Sequence, residues 1–177
     1  DRERADAHRI VYDDGDWAAW VPFASAYPYG LVLASRHHHG VLSDLDDAER
    51  DSLAAALVDV LGRYDRMWSD DPARSEIFPY LMWVHQAPSG GGDEYHVHLH
   101  LAPPQRSAGV ARYVAAGEVG SGTLSNPVVP ENAAATLRAT CPNAWPVTSC
   151  AGRWATRRPR RRAAPPTPVR GEPWWGR

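Results

Sequence analysis

The sequence predicts an α+β domain in which an antiparallel sheet carries one long helix packed on one face. Three observations indicate this fold. There are five short apolar runs, one long amphipathic helical stretch between the third and fourth runs, and short turn-like connections elsewhere. Strands that follow one another through short loops pair as antiparallel neighbours, and the single helix buries its apolar stripe against the sheet.

The first three strands come from the N-terminal third of the chain. HRIVY (residues 8–12) and DWAAWVPF (residues 16–23) are β-type runs, and the residues between them, Asp13, Asp14 and Gly15, form a turn. YGLVLAS (residues 29–35) is the third apolar run. Together these segments predict the first part of the sheet.

The helix begins with a capping signal. Asp46 is followed three residues later by Glu49, which is the spacing of a capping box. Apolar side chains then recur at helical spacing, at Leu53, Ala56, Leu57, Val60, Leu61, Tyr64 and Trp68. We therefore predict a long amphipathic helix whose stripe faces the core.

The last two strands are FPYLMWVHQAP (residues 78–88) and YHVHLHLAPP (residues 95–104). The glycine-rich SGGGDE (residues 89–94) joins them. It is not a phosphate-binding loop, because no lysine follows in the required position and no helix begins after it. In the last strand, Val97, Leu99 and Leu101 are expected to face the helix, and His96, His98 and His100 to face the other way.

Composition indicates one domain with an appendage. Residues 1–138 contain 11 arginines and 20 acidic residues, whereas residues 139–177 contain 8 arginines and a single acid, Glu172. The second segment is rich in Pro and Arg and has no helix or strand period. We interpret residues 1–138 as the folded domain and residues 139–177 as a disordered tail. The other interpretation of the tail is a basic arm, although we do not expect nucleic acid to be a partner.

Several classes of protein are disfavoured. The sequence contains no run of 18 apolar residues, so no membrane span is expected. The N-terminal residues also lack the apolar segment of a secretory signal. The two cysteines, Cys141 and Cys150, lie far from the histidines, so neither a disulfide framework nor a thiolate metal site is expected. These features predict a cytoplasmic protein without a membrane partner.

The histidines of the last strand predict a metal site. Residues two apart on a strand face lie roughly 6.6 Å apart and residues four apart roughly 13 Å apart. One ion with bonds of about 2 Å therefore cannot bind both His96 and His100, but it can bind His98 with one neighbour. His85, on the preceding strand, could add a ligand, and such a set suits zinc or iron. The consecutive histidines 37–39 are instead expected in a solvated loop.

HVHLHLA (residues 96–102) matches the alternating histidine signature of the histidine-triad superfamily. A longer series of segments resembles one branch of it, the C-terminal half of the galactose-1-phosphate uridylyltransferases. The matching segments are WVPFASAYPYGLVLASRHH, DLDDAERDSLAAAL, FPYLMWVHQAP, YHVHLHLAPPQRSAGVARYVAAGE and VVPENAAATLR. They follow in the family's order through residues 8–138.

The resemblance implies a function in galactose metabolism. Members of this family transfer uridylyl between UDP-glucose and galactose 1-phosphate, through a covalent uridylyl-histidine in a His-Pro-His motif of the N-terminal half. No His-Pro-His occurs in this sequence. The resemblance therefore implies that this chain is the substrate-binding and metal-binding part, that it carries no catalytic residue, and that its partner is an N-terminal half with the nucleophile. Whether it also forms a homodimer stays open.

The resemblance also implies two groups of site residues. The family's second metal, zinc or iron and considered structural, corresponds to His85, His98 and His100. The stretch that binds UDP-hexose corresponds to Arg112, Tyr113, Gly117 and Glu118. Gly117 stands where many members of the family have tyrosine.

Two other functions remain open at this point. The chain could be a stand-alone histidine-triad hydrolase or phosphorylase in which His98 is the nucleophile, supported by His96 and His100. It could also be a non-catalytic nucleotide-binding or nucleic-acid-binding module that uses the arginine-rich tail. A nucleotidyl adduct on His98 distinguishes the first of these from a metal-binding role.

Overall fold

The computed structural model describes residue 3 and residues 7–69 and 78–140. The main sheet contains β1 (Ile10–Asp13), β2 (Trp17–Trp20), β3 (Leu31–Ser35), β4 (Leu81–His85) and β5 (His98–Ala102). A small second sheet contains β6 (Gln105–Ser107) and β7 (Val110–Ala111), and the helices are α1 (Asp47–Arg66), α2 (Ala116–Ser121) and α3 (Pro130–Ala139). Most of the predicted tail lies outside the described residues, so the domain boundary at residue 138 stays a prediction.

The main sheet has the strand order β1-β2-β3-β5-β4, and every neighbouring pair is antiparallel. The last strand of this sheet along the chain, β5, is therefore inserted between β3 and β4. Gly15, with φ of +106°, allows the tight turn between β1 and β2. The predicted α+β class is confirmed, although the strands are shorter than the apolar runs that predicted them.

The core lies between one face of the sheet and the helices. Trp17, Leu33 and Leu99, from three different strands, are almost completely buried in it. From α1, Ala56, Val60 and Tyr64 enter the same cluster, and Ala133, Ala134 and Leu137 do so from α3. Burying each large apolar side chain contributes about 1.5–3 kcal/mol, so this face supplies most of the driving force for folding.

Helix α1 begins where its capping box predicts. The Asp46 carboxylate accepts from the backbone N–H of Glu49 at 2.8 Å, and the Glu49 carboxylate accepts from the N–H of Asp46 at 3.0 Å. Arg63 and Arg66 lie in the last turn, where their positive charges interact favourably with the negative end of the helix dipole. Among the helices of the described part of the chain, none is long and apolar enough to cross a membrane.

Two arginines of α1 connect it to the C-terminal end of α3. Arg63 forms a buried ion pair with Asp59 one turn earlier, and its Nη1 donates to the carbonyl of Leu137 at 3.2 Å. Arg66 donates to the carbonyl of Thr140 at 3.4 Å. Carbonyls at a helix end lack intrahelical donors, and these guanidinium groups supply them; the carbonyl of Leu137 also accepts from the hydroxyl of Thr140 at 3.0 Å.

Replacing Arg63 by alanine should strongly destabilise the domain, because the Asp59 carboxylate would stay buried without its guanidinium partner. We expect a loss of about 3–5 kcal/mol in the free energy of unfolding, measured by urea titration followed by circular dichroism. Arg50→Ala is the matched control, since it removes an exposed pair with Asp47 on the same helix and should cost less than about 1 kcal/mol. Equal, small losses for both variants would contradict this assignment.

Candidate functional site

The open face of the sheet, opposite α1, carries the histidines of β5. Leu99 and Leu101 point into the core and are almost fully buried, whereas His98 and His100 lie on the other side and are partly exposed. This separation follows from the two-residue period of a strand. The predicted orientation of the last strand is therefore what the structure shows.

Strand pairing places a third histidine beside these two. His85 of β4 lies directly opposite His98 of β5, and Trp83 lies opposite His100. One potential ligand atom from each of His85, His98 and His100 lies within 4.8 Å of the others. Atoms bonded to one ion at about 2 Å lie at most about 4 Å apart, so small ring rotations would be sufficient to bind a metal.

Ring contacts hold the three imidazoles as a group, which we call the sheet histidine cluster (His85, His98 and His100). The rings of His85 and His98 are stacked, with centroids 5.0 Å apart, and His100 meets both rings edge-on. The indole of Trp83 stacks on His100 at 5.1 Å. The cluster thus has an aromatic wall on one side, while His85 on the edge strand is exposed.

Hydrogen bonds define the donors and acceptors of two imidazoles in the sheet histidine cluster. Nδ1 of His98 lies 2.8 Å from the carbonyl oxygen of His96, which can only accept, so Nδ1 carries a proton and the neutral ring would offer Nε2 to a metal. The indole N–H of Trp83 donates to Nε2 of His85 at 2.7 Å, so a metal bound at that nitrogen would replace this hydrogen bond. Burial lowers the pKa of His100, which favours the neutral imidazole that a metal requires.

His96 lies outside this group, although the sequence pattern treats it like the other two. It precedes β5, and its Nε2 is 3.0 Å from the hydroxyl of Ser35. Its ring meets that of His38 edge-on at 5.0 Å. Burial, followed by the neighbouring His38, lowers the pKa of His96. His96 therefore does not belong to the sheet histidine cluster, whose three members are close enough together to bind one metal ion.

Two of the residues expected to bind substrate contact each other. Arg112 donates to Glu118 at 2.6 Å, and both side chains are nearly buried. Glu118 also accepts from the backbone N–H groups of Ser125 and Ala115, and these bonds lower its pKa. The Arg112 guanidinium lies over the ring of Tyr27, and its Nε has no hydrogen-bond partner among the described residues.

The other two residues expected to bind substrate face solvent. Tyr113 is largely exposed, and its ring is covered on one side by the guanidinium of Arg106 at 4.6 Å. Gly117 lies in α2, and a Cβ added there would meet nothing within 4 Å. The Cβ of a larger residue, such as the tyrosine expected from the resemblance, would therefore lie in open space.

The structure also brings together a group that the sequence did not predict. His37 and His39, expected in a solvated loop, both contact the carboxylate of Glu49 at the start of α1. The capping box identified Glu49 as a structural residue, and nothing in the loop histidines indicated that they would meet it. Only the shortness of the connection between the third strand and the helix could have suggested the contact.

Comparison with known proteins gives consistent matches. The family described as galactose-1-phosphate uridyl transferase, C-terminal domain, matches residues 1–149. The galactose-1-phosphate uridylyltransferase of Thermotoga maritima is 33% identical over 135 residues, covering 75% of this chain and 41% of that protein. A solved uridylyltransferase structure is 28% identical, with a TM-score of 0.66 over 75% of this chain and 41% of that one.

A more distant solved structure shares the fold alone. A hypothetical histidine triad nucleotide-binding protein from Sulfolobus tokodaii has a TM-score of 0.50 at 15% identity, covering 78% of this chain and 88% of that one. The antiparallel sheet with its helix and its histidine-bearing strand thus defines a histidine-triad-like domain. Within that class, the chain belongs to the galactose-1-phosphate uridyl transferase family, and it matches the family's C-terminal domain. It spans about two fifths of the length of the Thermotoga maritima relative.

If the sheet histidine cluster binds a metal, replacing His85 by alanine should remove one equivalent of zinc or iron per chain. We expect the stabilisation that the metal provides to be lost as well. A metal at a hundred times its Kd contributes about 2.7 kcal/mol, which shifts the melting temperature by several degrees. Elemental analysis and thermal unfolding, with and without added metal, measure both effects.

His96→Ala is the matched control for this variant, because it removes a nearby imidazole outside the cluster and should leave the bound metal in place. A chain that binds no zinc or iron, or an unchanged metal content in His85→Ala, would contradict the assignment.

Proposed function

We propose that this chain is the substrate- and metal-binding C-terminal part of an enzyme that transfers uridylyl between UDP-glucose and galactose 1-phosphate. The observation that carries the proposal is the family match, which extends over residues 1–149 and so includes the histidine-bearing strands and the segment after them. The agreement between that match and the assembled sheet histidine cluster supports it further. The chain spans about two fifths of the length of the Thermotoga maritima relative, so the proposed activity is that of the whole enzyme and not of these residues alone.

In this proposal the sheet histidine cluster holds zinc or iron in a structural role. Neutral imidazoles on two adjacent strands are suitable ligands for either ion, and a carboxylate from another segment would complete the shell. The resemblance indicates that this carboxylate is a glutamate of the N-terminal half. When bound, the ion would fix β4 against β5 and would connect this domain to that segment.

The transfer is a double displacement with a histidine nucleophile. An imidazole nitrogen attacks the α-phosphorus of UDP-glucose, and the bond from that phosphorus to the oxygen of glucose 1-phosphate breaks. The phosphate oxygen of galactose 1-phosphate then attacks the uridylyl-histidine, and the imidazole leaves as UDP-galactose forms. No His-Pro-His occurs among the 177 residues, so in this proposal the nucleophile lies in another segment and this chain contributes no catalytic residue.

The residues of this chain would bind and orient the sugar nucleotide. Arg112 supplies the positive charge that would meet the diphosphate, but its guanidinium is paired with Glu118 and its Nε is buried, so the side chain would have to shift to reach a ligand. Two backbone amides hold the Glu118 carboxylate in position, where it can accept hydrogen bonds from sugar hydroxyls. Tyr113 and Gly117 would line the same site from the exposed side.

The exposed apolar residues of β4, at the edge of the sheet, support the proposal that another segment packs against this domain. None of the five residues of β4 is buried, and Leu81, Met82, Trp83 and Val84 leave a continuous apolar strip in solvent. An exposed, flat, apolar edge strand is normally covered by another element. We propose that the N-terminal half covers it, while a homodimer and a cytoplasmic location remain predictions of the sequence.

One observation favours a second candidate function, a stand-alone histidine-triad hydrolase or phosphorylase. The hydrogen bond from Nδ1 of His98 places a proton on that nitrogen, so in the neutral ring the lone pair that a nucleophile requires would be on Nε2. The sheet histidine cluster argues for metal binding instead, because His98 shares its neighbourhood with two other imidazoles. A covalent adduct separates the two functions directly.

Incubated alone with UDP-glucose, the chain should form no acid-labile uridylyl-histidine and release no glucose 1-phosphate. Adding the separately expressed N-terminal half should restore transfer to galactose 1-phosphate. Chromatography of the UDP-galactose that forms measures this transfer.

In the combined system, Glu118→Gln should lower kcat/KM at least about tenfold, because one charge-assisted hydrogen bond to the sugar is weakened.

Asn132→Ala, which changes a helix residue outside the proposed binding segment, is the control for Glu118→Gln. A nucleotidyl adduct on His98, detected by mass spectrometry, would overturn the proposal in favour of the hydrolase. A lack of transfer after two folded halves are mixed would also count against it.

A further inference from the structure

A second group of potential metal ligands, none of which is a residue of the proposed site, lies at the start of α1. Oε1 of Glu49 is 2.8 Å from Nε2 of His39 and 3.1 Å from Nδ1 of His37. All three ligand atoms lie within 4.8 Å of one another. The two imidazole rings are 6.5 Å apart at an angle of 69°, so they converge on the carboxylate oxygen rather than stack on each other.

The loop that carries the histidines is held by its backbone. The hydroxyl of Ser35 donates to the carbonyl of His37 at 2.6 Å, and the N–H of Val97 donates to the carbonyl of His39 at 2.7 Å. The N–H of Ala87 donates to the carbonyl of Gly40 at 2.8 Å. Three successive anchors to β3 and to the ends of β4 and β5 therefore fix the positions from which the imidazoles project.

Glu49 is fixed as well. Its Oε2 accepts from the N–H of Asp46 in the capping box, which directs Oε1 towards the histidines. Its carbonyl accepts from the indole N–H of Trp17 at 3.3 Å, so the helix start is attached to the core. A ligand group whose members are already positioned by other bonds loses little freedom when it binds an ion.

The electrostatics of this group suit a cation. The hydrogen bond with His39, followed by those with the N–H of Asp46 and with His37, lowers the pKa of Glu49 to about 2. Glu49 is therefore a carboxylate at neutral pH. The positive end of the α1 dipole opposes a cation there, but Asp46 and Asp47 add negative charge to the same turn.

The donor set and its exposure define the kind of site. Two imidazoles and one carboxylate form a three-ligand set that zinc uses in proteins, with a fourth position left for water. The side chain of His37 is 69% exposed, so that position would be open to solvent, whereas His39 and Glu49 are mostly covered. Bonds of about 2 Å in a tetrahedral site would require the Glu49 oxygen and each imidazole nitrogen, now 2.8 and 3.1 Å apart, to separate by only a few tenths of an ångström.

We propose that His37, His39 and Glu49 form a second site for a divalent transition metal, separate from the sheet histidine cluster. An ion there would connect the loop after β3 to the N-terminus of α1. The site does not depend on the proposed uridylyl transfer, because none of its residues belongs to the proposed substrate or metal groups. The alternative is a hydrogen-bonded group that binds no metal.

The test uses Co²⁺, whose visible absorption reports on its ligands, with the full 177-residue chain. His85→Ala and His98→Ala are combined first to disable the sheet histidine cluster. We expect this background chain to bind one equivalent of Co²⁺. Adding His37→Ala or His39→Ala should weaken that binding at least tenfold, whereas adding His38→Ala should leave it unchanged.

The choice of variants separates metal binding from folding. His37 is exposed, so its replacement should not unfold the domain, and far-UV circular dichroism without metal checks this for every variant. His38→Ala removes the histidine between the two proposed ligands and is therefore the matched control. A background chain that binds no Co²⁺, or an affinity that is unchanged in both His37→Ala and His39→Ala, would overturn the proposal.

Discussion

The pairing of β4 with β5 sets His85 directly opposite His98, and the candidate site depends on this register. A slip of one residue would turn the histidines of β5 towards the core and its leucines towards solvent. Such a slip is strongly disfavoured, because Leu99 and Leu101 are buried against the helices. The burial of the leucines on one face of the sheet thus determines that the histidines lie on the other face.

The two faces of the sheet serve different purposes. Helices α1 and α3 cover one face and are tied together by the guanidinium groups of Arg63 and Arg66. The other face carries the sheet histidine cluster, and β4 at the edge is exposed along its whole length. A domain that buries its core on its own but leaves an apolar edge in solvent is suited to join another segment. This is the arrangement that the proposed two-part enzyme requires.

The local features of the fold could be predicted because each depends on a short sequence signal. Asp46 and Glu49 form the capping box that their spacing indicates, and the alternation in residues 96–102 gives the correct faces of β5. The meeting of His85 with His98 and His100 was also predicted, since two histidine-bearing strands in succession pair through a short connection. Their role as metal ligands remains a proposal.

Other features depend on contacts between distant segments and could not be predicted. The sequence predicted a strand at β4 but gave no indication that all five of its residues would be exposed. The ion pair between Arg112 and Glu118 and the short helix α2 were missed, because nothing periodic indicates them. Likewise, His37 and His39 meet Glu49 only because the loop folds back over the start of α1.

A crystal structure of the chain with zinc would show whether the sheet histidine cluster is a metal centre. Anomalous scattering recorded on both sides of the zinc absorption edge identifies the ion and its position without reference to any variant. We expect an ion with bonds of about 2.0–2.1 Å to nitrogens of His85, His98 and His100. A fully occupied zinc elsewhere, with these three imidazoles unliganded, would contradict it.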